Sequence, residues 1–198
     1  MISVIILAAG ESTRMGEPKA LVKFGEKSFL ETVIDNFQKA GIEKILAVLG
    51  FAAEEIAKQL KLRHDLYVIN ENYQLGQFSS FQTGVKQLGP AISGTFLALV
   101  DQPQIGAPVI KKLLNAFHKN FSSNKIMVPT YQGKRGHPPI FPKTLFSEIL
   151  SAPPSQTAAD IIHKDHGRVL EVETEDECIL WNINNKHDLD EVRERFGV

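Results

Sequence analysis

The 198-residue chain has one cysteine, one tryptophan and a formal net charge of −1. Each shortage excludes something. A single cysteine, Cys178, forms no disulfide framework and suits a reducing cytoplasm. It lies in an apolar run just before Trp181, where a buried structural thiol is expected in preference to a nucleophile. No apolar stretch approaches the ~20 residues that span a bilayer. The 22 Lys and Arg residues are scattered against 23 Asp and Glu, so neither nucleic acid nor an acidic membrane surface is suggested as a partner. Repeats, low-complexity tracts and an interdomain linker are also missing, and the length suits one domain over 1–198. Residues 1–7 have no basic lead-in, so they are read as a first strand and not as a signal peptide.

What the chain does have is concentrated at its start. The apolar run 2–7, rich in β-branched residues, opens into Leu7-Ala8-Ala9-Gly10-Glu11-Ser12-Thr13-Arg14-Met15-Gly16-Glu17-Pro18-Lys19. Ala8, Ala9 and Gly10 carry almost no side chain, so a ligand can lie against backbone N–H groups, and Gly10 and Gly16 can take φ > 0. Arg14 and Lys19 flank that turn. Amides plus two fixed cations make an anion cradle, and a polyphosphate is its natural occupant. Two familiar phosphate loops fit badly. Gly10 and Gly16 are too far apart for the dinucleotide fingerprint, and Gly16 is followed by Glu17 where a Walker loop has lysine.

Further along, helices are expected over 28–40, capped by Ser28, and over 53–61, with strands over 44–49 and 66–69. This alternation predicts a doubly wound α/β fold with a mostly parallel sheet. Gly76-Gln77-Phe78-Ser79-Ser80 opens a helix to about 88, and Ser79 or Ser80 serves either as its cap or as a ligand contact. The most apolar strand, 95–100, ends in Asp101-Gln102-Pro103. A carboxylate at that end of a parallel strand faces the ligand crevice, which makes Asp101 a Mg²⁺ ligand, or else a cap for the helix expected over 107–119. After a short strand over 126–128, Gly133-Lys134-Arg135-Gly136-His137-Pro138 reads as an irregular loop, with His137 beside a ligand or bonded to its own backbone. Strands over 168–172 and 178–181 form an expected antiparallel C-terminal edge, between a helix ending near 164 and a closing helix over 187–196.

The spelling Ala-Ala-Gly-x-Ser-x-Arg-Met-Gly-x-x-Lys after an N-terminal strand resembles the signature of nucleotidyltransferases that activate sugars, lipid precursors and the molybdenum cofactor. Gly-Gln-x-x-Ser and Gly-x-Arg-Gly-His-Pro resemble the molybdenum-cofactor branch, and Ala8-Ala9-Gly10 resembles its cytidylyltransferase members. The likeness covers 7–19, 76–84, 101–103 and 133–141 in order. It implies a Rossmann-like fold of the nucleotide-diphospho-sugar transferase type. It implies CMP transfer from CTP to a phosphorylated acceptor, molybdopterin, with contact to a molybdoenzyme or its chaperone. By the same resemblance, Leu7, Ala8, Ala9, Gly10, Arg14, Lys19, Gln77, Ser79 and Ser80 hold the nucleotide, Asp101 and Asn184 hold Mg²⁺, and Gln102, Arg135, Gly136 and His137 face the acceptor. Arg14, Lys19 and Asp101 are the expected catalytic set.

Two stretches depart from that pattern. Where the family has Asp-Ile-Asp-Thr-Pro-x-Asp, this chain has Asn182-Ile183-Asn184-Asn185-Lys186-His187-Asp188, and an amide oxygen ligates Mg²⁺ without adding charge. Residues 153–159 lack a Gly-Asp-x-Gly-x-Arg-like loop. A sugar- or polyol-phosphate acceptor, or a nucleotide-binding protein without turnover, therefore stands beside the first reading.

Overall fold

The computed structural model describes residues 1–198. In chain order its strands and helices are β1 (Ile2–Ala8), β2 (Lys23–Phe24), β3 (Lys27–Ser28), α1 (Phe29–Lys39), β4 (Lys44–Leu49), α2 (Ala53–Gln59), β5 (Tyr67–Ile69), α3 (Gln77–Lys86), β6 (Gly94–Leu99), α4 (Ala107–Lys119), β7 (Ile126–Tyr131), β8 (Lys134–Arg135), β9 (Ile140–Pro142), α5 (Phe146–Ser151), α6 (Ala158–His163), β10 (Val169–Glu173) and α7 (Lys186–Phe196). The main sheet runs β10-β7-β9-β6-β1-β4-β5, with β8 added against β7. β1 lies between β4 and β6, parallel to both, and all seven of its residues are buried. A strand covered on both faces has no reason to alternate apolar with polar, which accounts for its apolar run, interrupted only by Ser3, whose buried hydroxyl donates to Thr95 Oγ1 at 2.9 Å.

Side chains of β1 alternate between two cores. Val4, Ile6 and Ala8 join the larger cluster, with Phe29 and Phe37 of α1 and Leu113 and Phe117 of α4. Ile5 and Leu7 join the smaller one, with Phe78, Phe81 and Val85 of α3 and Ile149 of α5. The mostly parallel α/β fold read from the sequence is thus present. α1 starts on the expected Ser28 cap, whose hydroxyl accepts from Glu31 N–H while the Glu31 carboxylate accepts from Ser28 N–H.

The expected antiparallel edge is a correction. β10 is an edge strand, but it runs parallel to β7, pairing Val169 with Ile126. Glu177–Leu180 is a 3₁₀ turn and not a strand, started by the Asp176 carboxylate accepting from Cys178 N–H. Gln104 Nε2 donates to Cys178 O at 3.2 Å in the turn and to Trp181 O at 2.8 Å just after it, while Ile179 O accepts from His137 N–H. The antiparallel strands of the main sheet are β8, paired with β7, and β9, inserted between β6 and β7.

α3 can lie on β1 because Gly84 has no side chain. A Cβ there would stand 2.6 Å from Cγ2 of Ile5, itself fully buried. Gly84→Val is therefore expected to lower the urea unfolding free energy by about 1–3 kcal/mol through overpacking. Wild-type stability in that variant would mean that α3 does not seat as described.

Candidate functional site

The carboxyl ends of β1 and β6 open on a cleft of about 220 Å³. Its walls include Leu7, Ala8, Gly10, Arg14, Lys19, Gln77, Asp101 and Asn184 from the expected set, with Ser12 and Thr13 added. Parallel β1 and β6 set this end, since Leu7 is in register with Leu99, two residues before Asp101. The loop between is tied at several points. Met15, 3% exposed, plugs into the larger core, and Ser12 Oγ accepts from Lys19 N–H at 3.1 Å. Left-handed backbone falls on Gly16 (φ 81°) and on Ser12 (φ 55°), whereas Gly10 does not use that freedom. Gly10 contributes openness instead, since a Cβ there would meet nothing within 4 Å.

Charge organises the cleft. Lys19 Nζ donates to Asp101 Oδ2 at 2.7 Å and to Asn184 Oδ1 at 3.0 Å, and Arg14 Nη2 donates to the same Asn184 oxygen at 3.3 Å. Both members of the ion pair are largely sheltered, with side-chain exposures of 13% and 17%, which limits screening by water. Exposed Arg14 makes no ion pair, so the cleft keeps one uncompensated positive charge beside open backbone.

The second Asp101 oxygen, Oδ1, is buried without a hydrogen-bond partner. A carboxylate with one oxygen on an ammonium and the other unsatisfied fits a hard divalent cation, and Asn184 Oδ1 is a second hard donor. No cluster of three His, Cys, Asp or Glu side chains gathers anywhere, so phosphate and water oxygens would have to complete such a shell.

The remaining expected residues sit elsewhere. Ala9 is buried just behind the cleft wall, its carbonyl accepting from Phe51 N–H at 3.1 Å. Ser79 and Ser80 are buried and turn inward, each accepting from Asn70 Nδ2, and Ser79 Oγ donates to Gly76 O at 2.7 Å; neither caps α3 by accepting an N–H. Gln102, 4% exposed, donates to Trp181 O and to Asn182 Oδ1. Arg135 pairs with Glu171 on the edge strand β10. Gly136 is a packing position, because a Cβ would stand 2.4 Å from Ile179 O.

His137 is half-buried, its backbone N–H donating to Ile179 O at 3.0 Å and its ring Nδ1 enclosed without a hydrogen-bond partner. Burial pushes its imidazole below the ordinary 6.5, against the pull of the Asp101 charge. Cys178, 4% exposed, has its thiol pushed up to about 12 by burial and Asp176. Gln104 and Asn70 were missed by the sequence reading. The only signal for either was a polar residue at or just beyond a strand end.

Residues 4–169 match the MobA-like NTP transferase domain. Among curated proteins, the chain is 24% identical over 160 residues to nicotine blue oxidoreductase of Paenarthrobacter nicotinovorans, covering 76% of this chain and 75% of that one. It is 30% identical over 132 residues to the bifunctional protein GlmU of Staphylococcus haemolyticus, covering 66% of this chain but only 29% of GlmU. Among solved structures, Rv0371c of Mycobacterium tuberculosis H37Rv superposes with a TM-score of 0.83 at 26% identity, covering 98% of this chain and 97% of its own. Rv0371c has also been solved in complex with manganese.

Two predictions follow from the geometry. Lys19→Met removes the ammonium that holds Asp101 and Asn184, so bare Mn²⁺ should bind the variant about tenfold or more tightly than the wild type, read as loss of the free-ion electron paramagnetic resonance signal. Equal affinities would show that Lys19 does not compete with a cation. For His137 the folded pKa is depressed, so the unfolded chain takes up a proton near 6.5 that the folded chain refuses. Stability is full above 6.5 and is lost as pH falls from there toward the depressed value. Urea unfolding between pH 7.5 and 5.5 should show a shallower loss in His137→Gln, and parallel slopes would contradict it.

Proposed function

Because the chain belongs to the MobA-like NTP transferase domain family, we propose that its cleft transfers a nucleoside monophosphate, CMP from CTP, to the phosphate of a molybdopterin-type acceptor and releases pyrophosphate. The observation that carries the reading is the convergence of Lys19, Arg14, Asp101 and Asn184 on one opening beside the side-chain-poor turn at Ala8 and Gly10. In this reading Gly10 leaves backbone open to the triphosphate, while Arg14 and Lys19 neutralise charge that gathers on the departing pyrophosphate. The acceptor phosphate, already ionised near pH 7, attacks the α-phosphorus in line and needs no general base. Asp101 and Asn184 would hold Mg²⁺, which supplies further charge neutralisation at the α-phosphate.

Gln77, at the cleft edge, is the residue of the α3 segment best placed to touch the nucleotide. Ser79 and Ser80 act one step back, through Asn70, by fixing the chain that carries it. Among the acceptor residues, Gln102 and His137 would shape the floor behind Asp101 and Asn182.

Calorimetric titration with CTP, GTP, ATP and UTP, with and without Mg²⁺, tests the donor and the metal together. Selective, Mg²⁺-dependent CTP binding that weakens in Asp101→Ala is the expected result, and Lys19→Ala should slow turnover 10²–10³-fold, about 3–4 kcal/mol. CTP binding that ignores both Mg²⁺ and the Asp101 substitution would favour a nucleotide-binding protein without turnover.

A further inference from the structure

Asp101 and Asn184, the two oxygen donors that Lys19 draws together, stand on separate loops, 101–105 after β6 and 177–184 before α7. Apart from Lys19, one backbone hydrogen bond ties them directly, from Ile183 N–H to Asp101 O at 2.9 Å. A single bond is a pivot, and it leaves the second loop free to swing. The rest of the join is made by two carboxamides of the first loop, each 4% exposed. Gln102 Nε2 donates to Trp181 O at 3.1 Å and to Asn182 Oδ1 at 2.7 Å, and Gln104 Nε2 donates to Trp181 O at 2.8 Å and to Cys178 O at 3.2 Å.

Gln104 works further from the cleft than its neighbour. It bonds only main-chain carbonyls and forms no part of the cleft wall. One of its amide hydrogens meets the 3₁₀ turn at Cys178 and the other meets the chain just after it at Trp181, so the turn cannot tilt without breaking a bond. The base it reaches from is firm, because Asn36 Nδ2 of α1 donates to Pro103 O and Ile105 O at 3.0 Å each, and Ile105 packs into the larger core.

Stability alone does not ask for a carboxamide here. Gln104 Oε1 is buried without a hydrogen-bond partner, a cost that an apolar side chain of the same length avoids. Removing Gln104 also orphans neither carbonyl, since Trp181 O keeps Gln102 and Cys178 O keeps Trp181 N–H at 3.2 Å. What Gln104 adds is a fixed place for the chain that leads into Asn184.

Resting on the transferase reading above, we propose that Gln104 is a positioning residue for the metal, acting through Cys178 O and Trp181 O on the place of Asn184 Oδ1 relative to Asp101. It touches neither cation nor nucleotide. Removing a partner that orients a metal ligand typically weakens metal binding by about 10–100-fold.

The test is Mn²⁺ affinity, read from the free-ion electron paramagnetic resonance signal with Mn²⁺ alone and with CTP. The variants are Gln104→Met, Gln104→Ala, Asn184→Ala and the double substitution of Gln104→Met with Asn184→Ala, each checked for folding by circular dichroism. Both Gln104 variants are expected to bind Mn²⁺ about tenfold or more weakly, with metal-free CTP binding unchanged, and Gln104→Met should cost nothing further once Asn184 is alanine. Folded Gln104 variants with wild-type Mn²⁺ affinity overturn the assignment. So does a loss that persists in the Asn184→Ala background, which marks a general loosening, and so do Gln104 variants that fail to fold, since the glutamine then serves the fold. A wild type that takes up no Mn²⁺, alone or with CTP, overturns it as well. A wild type that binds Mn²⁺ but no nucleoside triphosphate sinks the transferase reading and leaves the Gln104 comparison decided by the metal alone.

Discussion

The Lys19 ammonium joins three stretches that the sequence keeps far apart. Its contacts with Asp101 and Asn184 span separations of 82 and 165 residues. Each stretch reaches it for its own physical reason. Lys19 begins a short 3₁₀ turn after Pro18, Asp101 follows the buried strand β6, and Asn184 is held where its N–H donates to Asp188 at the start of α7. Remove the cation and a sheltered carboxylate, one oxygen already unpartnered, faces a low-dielectric wall alone. The cleft therefore holds its shape through a charge that a ligand could also use.

Beneath it, the sheet makes that arrangement stiff. β1 is hydrogen-bonded along its length on both sides, and its side chains feed two cores, so the point where the loop leaves Ala8 has little freedom. Met15 fixes the loop a second time from beyond the turn. Between those anchors the chain is almost without side-chain bulk, which is where an anion can approach backbone N–H groups. Rigid ends and a bare middle are both consequences of which residues are large and which are small.

Legibility in the sequence followed the range of the forces involved. Strand, helix and cap signals are local, and they placed β1, β4, α1 and α4 closely, Ser28 included. The loop from Leu7 to Lys19 was legible because its character lies in composition. The direction of β9 was not, since antiparallel insertion between β6 and β7 depends on partners 46 residues apart at Thr95 and Phe141, and no local pattern records them. Side-chain orientation was hardest to read. Gly136 looked like a ligand loop by its neighbours, but its role is set by the Ile179 backbone passing 2.4 Å from where a Cβ would be. Ser79 and Ser80 have the composition of ligand contacts, while Asn70, nine and ten residues earlier, determines that they face inward.

The amide at position 184 changes the balance of the cleft more than its size suggests. With Asn184 neutral, Arg14 and Lys19 face one carboxylate, Asp101, so a divalent cation arriving alone would share that carboxylate with an ammonium and sit among net positive charge. A polyphosphate arriving with it changes both terms. Its oxygens offer Lys19 and Arg14 a new partner while Asp101 is released to the metal, so neither charge is left without a counter-charge at any stage. In the proposed transferase reading, metal and nucleotide binding would be coupled through Lys19, each raising affinity for the other by the same factor, as linkage requires. An aspartate at 184 would loosen that coupling by giving the metal a charge partner of its own. On the proposed reading, the single amide would thus favour the metal–nucleotide complex, rather than either component, as the species bound in the cleft.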